Sequence, residues 1–120
     1  MPIRVGIYTR LQLNAKGEIV SDPTRQEEIC RKHANKQGYV VMQVFREDGT
    51  GSETERPELR RLRSSIWTRT LDVVLAVSPD RLYLDTNRLA RFAKEADIMN
   101  VRLEFVNDPL ASDYLLRETY

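Results

Sequence analysis

Cysteine and histidine are almost absent from this 120-residue chain, which has one of each, Cys30 and His33. A lone cysteine excludes a disulfide framework within the chain, and one Cys with one His excludes a Cys/His zinc site. Long apolar runs are missing too: the longest, Val73 to Val77, falls far short of the roughly 20 residues of a membrane span. No cationic, apolar leader opens the chain. Met1-Pro2-Ile3-Arg4 runs straight into a strand-like segment, so a soluble cytoplasmic domain with no membrane partner is expected. Glycine and proline number only five each against 41% hydrophobic and 31% charged residues, which excludes collagen-like, low-complexity and disordered chains. What remains is one domain of 14.0 kDa, large enough to build a core without staples.

Charge is balanced in total, at +1, and uneven along the chain. Residues 1–94 carry 17 basic and 12 acidic side chains, and residues 95–120 carry two and six. Fifteen of the 19 basic residues are arginine, and Arg56, Arg60, Arg61, Arg63 and Arg69 crowd into 14 residues. A guanidinium is a planar fork of donors that matches phosphate oxygens. The cluster reads either as a phosphate-facing surface or as the solvated face of a helix.

Strand and helix signals alternate. Ile3 to Tyr8 is a short β-branched run, followed by a polar segment from Gln12 to Val20 with Asn14, Lys16 and Gly17 as turn residues. Asp22-Pro23 predicts a helix start, with Ile29, Cys30, His33 and Ala34 on one face and Gly38 as its left-handed end. Tyr39 to Phe45 reads as a second, largely buried strand. An aperiodic loop spans 48–55, and Pro57 opens a helix with Leu59, Leu62 and Ile66 at helical spacing and Trp67 as a packing residue at its end. Leu71 to Val77 suits a central strand covered on both faces. Thr86 is the expected cap of a third helix ending near Asn100, and Val101 to Phe105 alternates like a strand nearer an edge. A last short helix is expected over Ser112 to Arg117. The class is α/β: a three-layer, mostly parallel sheet of four to five strands with helices on both faces.

Ligands on such sheets bind outside the carboxyl ends of the strands. The polar residues there are Arg10 and Gln12, Asp48 to Arg56, Ser78 to Arg81, and Asn107-Asp108. Three guanidiniums (Arg10, Arg56, Arg81) with two carboxylates (Asp48, Asp80) suit a phosphoryl site, where catalysis is positioning and charge stabilisation. A set of loop salt bridges is the other reading of the same residues. Gly49-Thr50-Gly51 lacks the Gly-Lys-Ser/Thr ending of a P-loop, and Asp48 and Asp80 are too few for a metal site. A mononucleotide or flavin site would need a phosphate-cradling loop that the sequence lacks. His33 reads as a boundary residue and Cys30 as a small core residue.

The ordered motifs resemble the serine recombinases, the resolvase/invertase family. Arg4-Val-Gly-Ile-Tyr-Thr-Arg10 is similar to the strand that leads into Tyr-x-Arg-Val-Ser, whose Ser is the nucleophile. Pro23 to Gln26 resembles the start of the first helix. Asp48-Gly-Thr-Gly-Ser followed by Arg56-Pro57 is similar to Asp-x-Gly-x-Ser-Gly…Arg-Pro-x-x-x-x-Leu, and Asp80-Arg81-Leu82 to Asp-Arg-Leu-x-Arg. The resemblance covers residues 3–108, leaving 109–120 as a C-terminal segment where the family begins a long dimerising helix. It implies attack of a serine hydroxyl on a DNA phosphodiester to give a 5′-phosphoserine link, with no cofactor, in oligomers of recombinase subunits. It further implies that Arg10, Arg56 and Arg81 bind DNA phosphate, that Asp48 and Asp80 position them, and that Tyr8 and Gln26 support the site.

Two positions depart from the pattern. Gln12 stands where the nucleophilic Ser belongs, and a carboxamide cannot form a phosphate ester by attack. Leu84 stands where a further arginine belongs. Thr9 is expected on the opposite face of its strand, and Ser52 lies on the loop, so neither is a natural substitute. The expectation is a recombinase-like domain of site-specific DNA recombination that does not cleave DNA by itself. The alternatives are a protein-interaction or regulatory module on the same fold, and an enzyme with an unorthodox nucleophile.

Overall fold

Val5, Ile7 and Tyr8 drive the first strand, β1 (Arg4–Arg10), and all three are fully buried. β1 is longer than the apolar run because its polar end is paired: Arg10 lies opposite Glu47. The computed structural model describes residues 2–48 and 56–112. The segment after β1 departs from the expected polar loop. It is a small antiparallel hairpin of β2 (Gln12–Leu13) and β3 (Ile19–Ser21), turned by Asn14, whose side chain accepts from the Lys16 and Glu18 N–H groups, and by Gly17 at φ 79°.

Helix α1 (Pro23–Gln37) starts and stops where the sequence signals it, with Asp22 accepting from the Thr24 N–H and Gly38 left-handed at φ 75°. Cys30 and Ala34 face the sheet, and burial pushes the Cys30 thiol up to about 12. Strand β4 (Val40–Glu47) corrects the expectation of a largely buried strand. It lies at the edge of the sheet, with Val40 and Met42 exposed, and the apolar run reads as buried only because one face is. Helix α2 (Pro57–Trp67) buries Leu59, Leu62 and Ile66, whereas Trp67 is exposed at its end, outside the core. β5 (Val73–Ala76) is buried on both faces. A 3₁₀ turn (Pro79–Arg81) leads to helix α3 (Thr86–Ile98) and β6 (Arg102–Phe105). Asp85 rather than Thr86 caps α3, because a carboxylate at that point reaches both the Asn87 and Arg88 N–H groups.

The main sheet is four-stranded and parallel, in the order β4-β1-β5-β6. α1 covers one face over Val5, Ile7, Val73 and Leu75, while α2 and α3 cover the other over Tyr8, Phe45, Val74, Leu103 and Phe105. The chain leaves β1 toward β4 on one side and returns past it to β5 and β6 on the other. The strand order therefore reverses between β1 and β5, and a crevice opens beyond their carboxyl ends. Gly6 lets β1 pass under Leu71 and Phe45: a β-carbon there would lie 2.6 Å from the Leu71 side chain. The helix expected over Ser112 to Arg117 falls almost wholly outside the described residues. Among the described residues no helix is long and apolar enough to cross a membrane.

One polar tie joins α1 to the far edge of the sheet. Glu104 on β6 meets His33 at 2.6 Å and accepts from Tyr39 Oη and Arg102. Burial alone would raise the Glu104 carboxyl, but these hydrogen bonds outweigh it and hold the group below its ordinary value. The folded carboxyl thus titrates below its unfolded value of about 4.3, so its stabilisation is complete above that pH and lost as pH falls through the folded value. Glu104→Gln is expected to lower stability near neutrality and to flatten its decline below about pH 5. Urea midpoints measured from pH 7 to pH 3 check this, and an acid limb identical to wild type contradicts it.

Candidate active-site cleft

At the crevice, residues following β1 face residues following β5. Arg10, Leu11, Gln12, Leu13, Asp80, Arg81 and Leu84 line a cleft of about 230 Å3. Four of the expected site residues, Arg10, Gln12, Asp80 and Arg81, therefore do meet, although the chain separates them by about 70 positions.

Arg10 is placed through its backbone. Gln26, buried in the first turn of α1, accepts from the Arg10 N–H at 3.0 Å and donates to the Arg10 carbonyl at 2.7 Å. Its amide also donates to Ser21 Oγ at 2.8 Å, which ties in the hairpin. Gln26 thus ties the end of β1 to α1 and to the hairpin.

Arg81 is 5% exposed, and its donors are engaged. Its Nη2 donates to Gln12 Oε1 at 2.6 Å and to Asp80 Oδ2 at 2.8 Å, and its Nη1 reaches the Arg10 carbonyl at 3.5 Å. Asp80 also accepts from Ser78 Oγ. Burial acts to raise the Asp80 carboxyl, and the bonds from Arg81 and Ser78 more than offset it, so the group lies below the usual carboxylate range and stays ionised at neutral pH. Gln12 is thus an acceptor for Arg81. Leu84 lies on the rim at 69% exposure, an apolar side chain beside two guanidiniums.

Arg56 differs from expectation. It is 2% exposed, too deep to meet a phosphate at the surface. Its guanidinium lies between the Tyr8 and Tyr83 rings, 5.3 and 5.5 Å from their centroids. It donates to Tyr8 Oη from Nη2 at 2.6 Å and from Nε at 3.2 Å, to the Arg81 carbonyl at 2.8 Å, and to the Leu82 carbonyl. The side chain therefore fixes the backbone of the 3₁₀ turn from behind.

Asp48 also differs. It is exposed and accepts from Arg46 Nε at 2.8 Å, and Arg46 reaches on to Thr24 Oγ1, away from the cleft. The carboxylate on the site side is the neighbour that sequence reasoning passed over, Glu47, only 3% exposed. It accepts from Tyr8 Oη at 3.2 Å and from the Leu59 and Glu58 N–H groups at 3.2 and 3.5 Å. Because Arg56, the residue before α2, makes no side-chain cap, Glu47 reaches from β4 to accept the first-turn N–H groups that a cap would otherwise take. The spacing held the signal: in Asp-x-Gly, with the glycine at Gly49, the acid falls at Glu47. Thr9 is fully buried on the α1 side, its hydroxyl without a partner among the described residues. Ser52 and Gly49-Thr50-Gly51 lie outside the described residues. Among those described, no three His, Cys, Asp or Glu side chains gather closely enough to hold a metal ion.

A parallel sheet that gathers two guanidiniums, a carboxylate and an amide at its reversal point has the donors to stabilise an oxyanion, in an α/β domain. The chain matches the family "Resolvase, N terminal domain" over residues 6–117 and belongs to that family. It is 30% identical over 94 residues to the R46 site-specific recombinase of Escherichia coli, covering 78% of this chain and 48% of that one. It is 32% identical over 76 residues to the transposon Tn3 resolvase of Escherichia coli, covering 63% and 40%. The chain thus spans about half the length, or less, of these curated relatives. Its fold superposes on the N-terminal catalytic domain of TP901-1 integrase with TM-score 0.83 at 23% identity, covering 97% of this chain and 91% of the other. It also superposes on the C-terminal catalytic domain of ISC1926 TnpA, an IS607-like serine recombinase, with TM-score 0.75 at 28% identity, covering 93% and 75%.

Removing one member of a buried ionic chain leaves the others desolvated and unpaired. Arg56→Met is therefore expected to cost about 3–5 kcal/mol, and Tyr8→Phe about 1–3 kcal/mol. Urea unfolding checks both, and a loss below about 1 kcal/mol for Arg56→Met would contradict the assigned role.

Proposed function

We propose that this chain is a DNA-facing domain of site-specific recombination whose cleft engages backbone phosphate without cleaving it. The observation that carries the reading is the Gln12–Arg81 hydrogen bond. The side chain in the nucleophile position lies against the cation that would hold the phosphate, and it has no atom able to attack phosphorus. A serine hydroxyl there would form the ester bond and release the 3′-oxygen; a carboxamide oxygen only accepts. Arg10, at the mouth of the cleft, meets the phosphate first. Arg81 joins by exchanging Gln12 Oε1 for a phosphate oxygen, while Asp80 holds its guanidinium plane. Leu84 contributes no charge where the motif has an arginine. The domain works in the cytoplasm as one subunit of a homo- or hetero-oligomer with other recombinase subunits, which supply the cleaving serine.

Affinity for a DNA duplex is expected to fall with salt, with a log–log slope of about −1 to −2 for two phosphate contacts. Arg10→Ala is expected to weaken binding about tenfold, by losing a charge-assisted contact. Gln12→Ala is expected to tighten it several-fold, because the amide no longer competes for Arg81. No covalent protein–DNA adduct should form. Fluorescence anisotropy at several salt concentrations and a denaturing gel check these outcomes. An adduct at a Ser or Thr overturns the non-cleaving reading, and absence of DNA affinity at low salt favours a protein-interaction module.

A further inference from the structure

The hairpin of β2 and β3 borders the cleft, and the body of the domain leaves most of it uncovered. Every residue from Asn14 to Val20 is exposed, and among them are two large aliphatic side chains, Ile19 at 65% and Val20 at 59%. The pairing register slips within this ribbon, so that Ile19 and Val20 together oppose Leu13, and Leu13 lines the cleft of Arg10 and Arg81. The base of the ribbon is tied down, since Gln26 donates to Ser21 Oγ and Gln12 accepts from Arg81. The hairpin is therefore held at one end and bare along the rest.

We propose that this hairpin enters the major groove of the DNA duplex whose phosphate the Arg10–Arg81 cleft engages, with Ile19 and Val20 against thymine methyl groups; the inference rests on that reading of the cleft. Dimensions decide the groove. A two-stranded ribbon fits the major groove, about 12 Å wide, and not the minor groove of about 6 Å. Six positions separate Arg10 from Lys16 at the turn, up to about 20 Å of extended chain. With Arg10 at the phosphates of one strand, the exposed Lys16 reaches those of the other across the groove. The one acid of the ribbon, Glu18, turns back to accept from Asn14 Nδ2 at 3.4 Å. Between the two cations the hairpin presents aliphatic side chains where base edges lie, and the apolar feature of those edges is the thymine methyl. A protein partner fits less well. Two side chains fall far short of the roughly 800 Å2 that each side of a stable interface buries.

The test compares two duplexes of A·T pairs by fluorescence anisotropy, identical except that the second has uracil for thymine and so lacks only the methyl groups. The wild-type chain is expected to bind the thymine duplex about fourfold more tightly for each methyl covered. Ile19→Ser combined with Val20→Ser is expected to erase that preference while leaving the salt dependence as it was. Both side chains are exposed, so the double variant should unfold at the wild-type urea midpoint. Lys16→Ala is expected to weaken binding of both duplexes by the same factor. Equal wild-type affinity for the two duplexes, or a preference that survives in the double variant, overturns the role of the hairpin and leaves that of the cleft standing. Absence of binding to either duplex at low salt overturns the reading of the cleft and this inference with it.

Discussion

Glu47, Tyr8 and Arg56 form a buried chain of opposite charges joined through a phenol, and the crevice takes its shape from that chain. Neither ion would tolerate burial alone. Moving a carboxylate or guanidinium out of water costs several kcal/mol, offset only when every donor and acceptor finds good geometry. Burial raises the Tyr8 phenol well above its ordinary value, so it keeps its proton, donating to Glu47 while accepting from Arg56. Glu47 has the additional partners of the α2 first turn, and Arg56 those of the 3₁₀ turn. A lysine at 56 would present one charged point to acceptors spread over two directions; the guanidinium fork reaches them together. One chain of contacts thus fixes the end of β4, the middle of β1, the start of α2 and the turn after β5.

The consequence reaches Arg81. Its carbonyl is held from behind by Arg56, and its guanidinium is held in front by Asp80 and Gln12. Arg10 is fixed in the same two-sided way by Gln26, through both of its backbone polar groups. Positioning is therefore built into the scaffold and does not await a ligand, which is what electrostatic stabilisation of an oxyanion requires. Gln12 adds a neutral acceptor to that scaffold. A long amide oxygen satisfies Arg81 in the absence of phosphate, whereas a shorter serine would leave the same donor open at the mouth of the cleft.

Local signals in the sequence were faithful where local physics decides the outcome. Asp22-Pro23 and Gly38 bound α1, the apolar run 71–77 is the doubly covered strand, and the crevice gathers Arg10, Gln12, Asp80 and Arg81. Errors arose where a partner distant in sequence overrides local preference. The run Tyr39 to Phe45 reads as a largely buried strand, and only the order β4-β1-β5-β6 makes it an edge. The hairpin of β2 and β3 has too few residues to show alternation. Arg56 reads as a surface cation because arginine usually is one, and its burial rests on Tyr8 and Leu82, 48 and 26 positions away. Asp48 and Glu47 are adjacent carboxylates, Glu47 the last residue of β4 and Asp48 the first beyond it. Type alone does not separate them, but the alternation of a strand does, since the side chain that shares a face with Phe45 goes inward with the following odd position.

A second cleft, lined by Arg63, Tyr83, Arg88, Arg91, Phe92 and Glu95, lies beyond the same turn, and Arg56 supports the backbone between the two. Arg56 binds the carbonyl groups of Arg81 and Leu82 and lies against the ring of Tyr83, the next residue. Arg81 belongs to one cleft and Tyr83 to the other. Three consecutive residues therefore present a guanidinium to one side and an aromatic ring to the other, with their backbone pinned between. A movement of this turn would shift Arg81 and Tyr83 together, since only Leu82 separates them. Coupling between separated sites needs an element that both of them bias, and this short turn is physically continuous with each. Arg56 is thus placed to resist such movement, which makes its buried charge a constraint on both clefts and a ligand for neither.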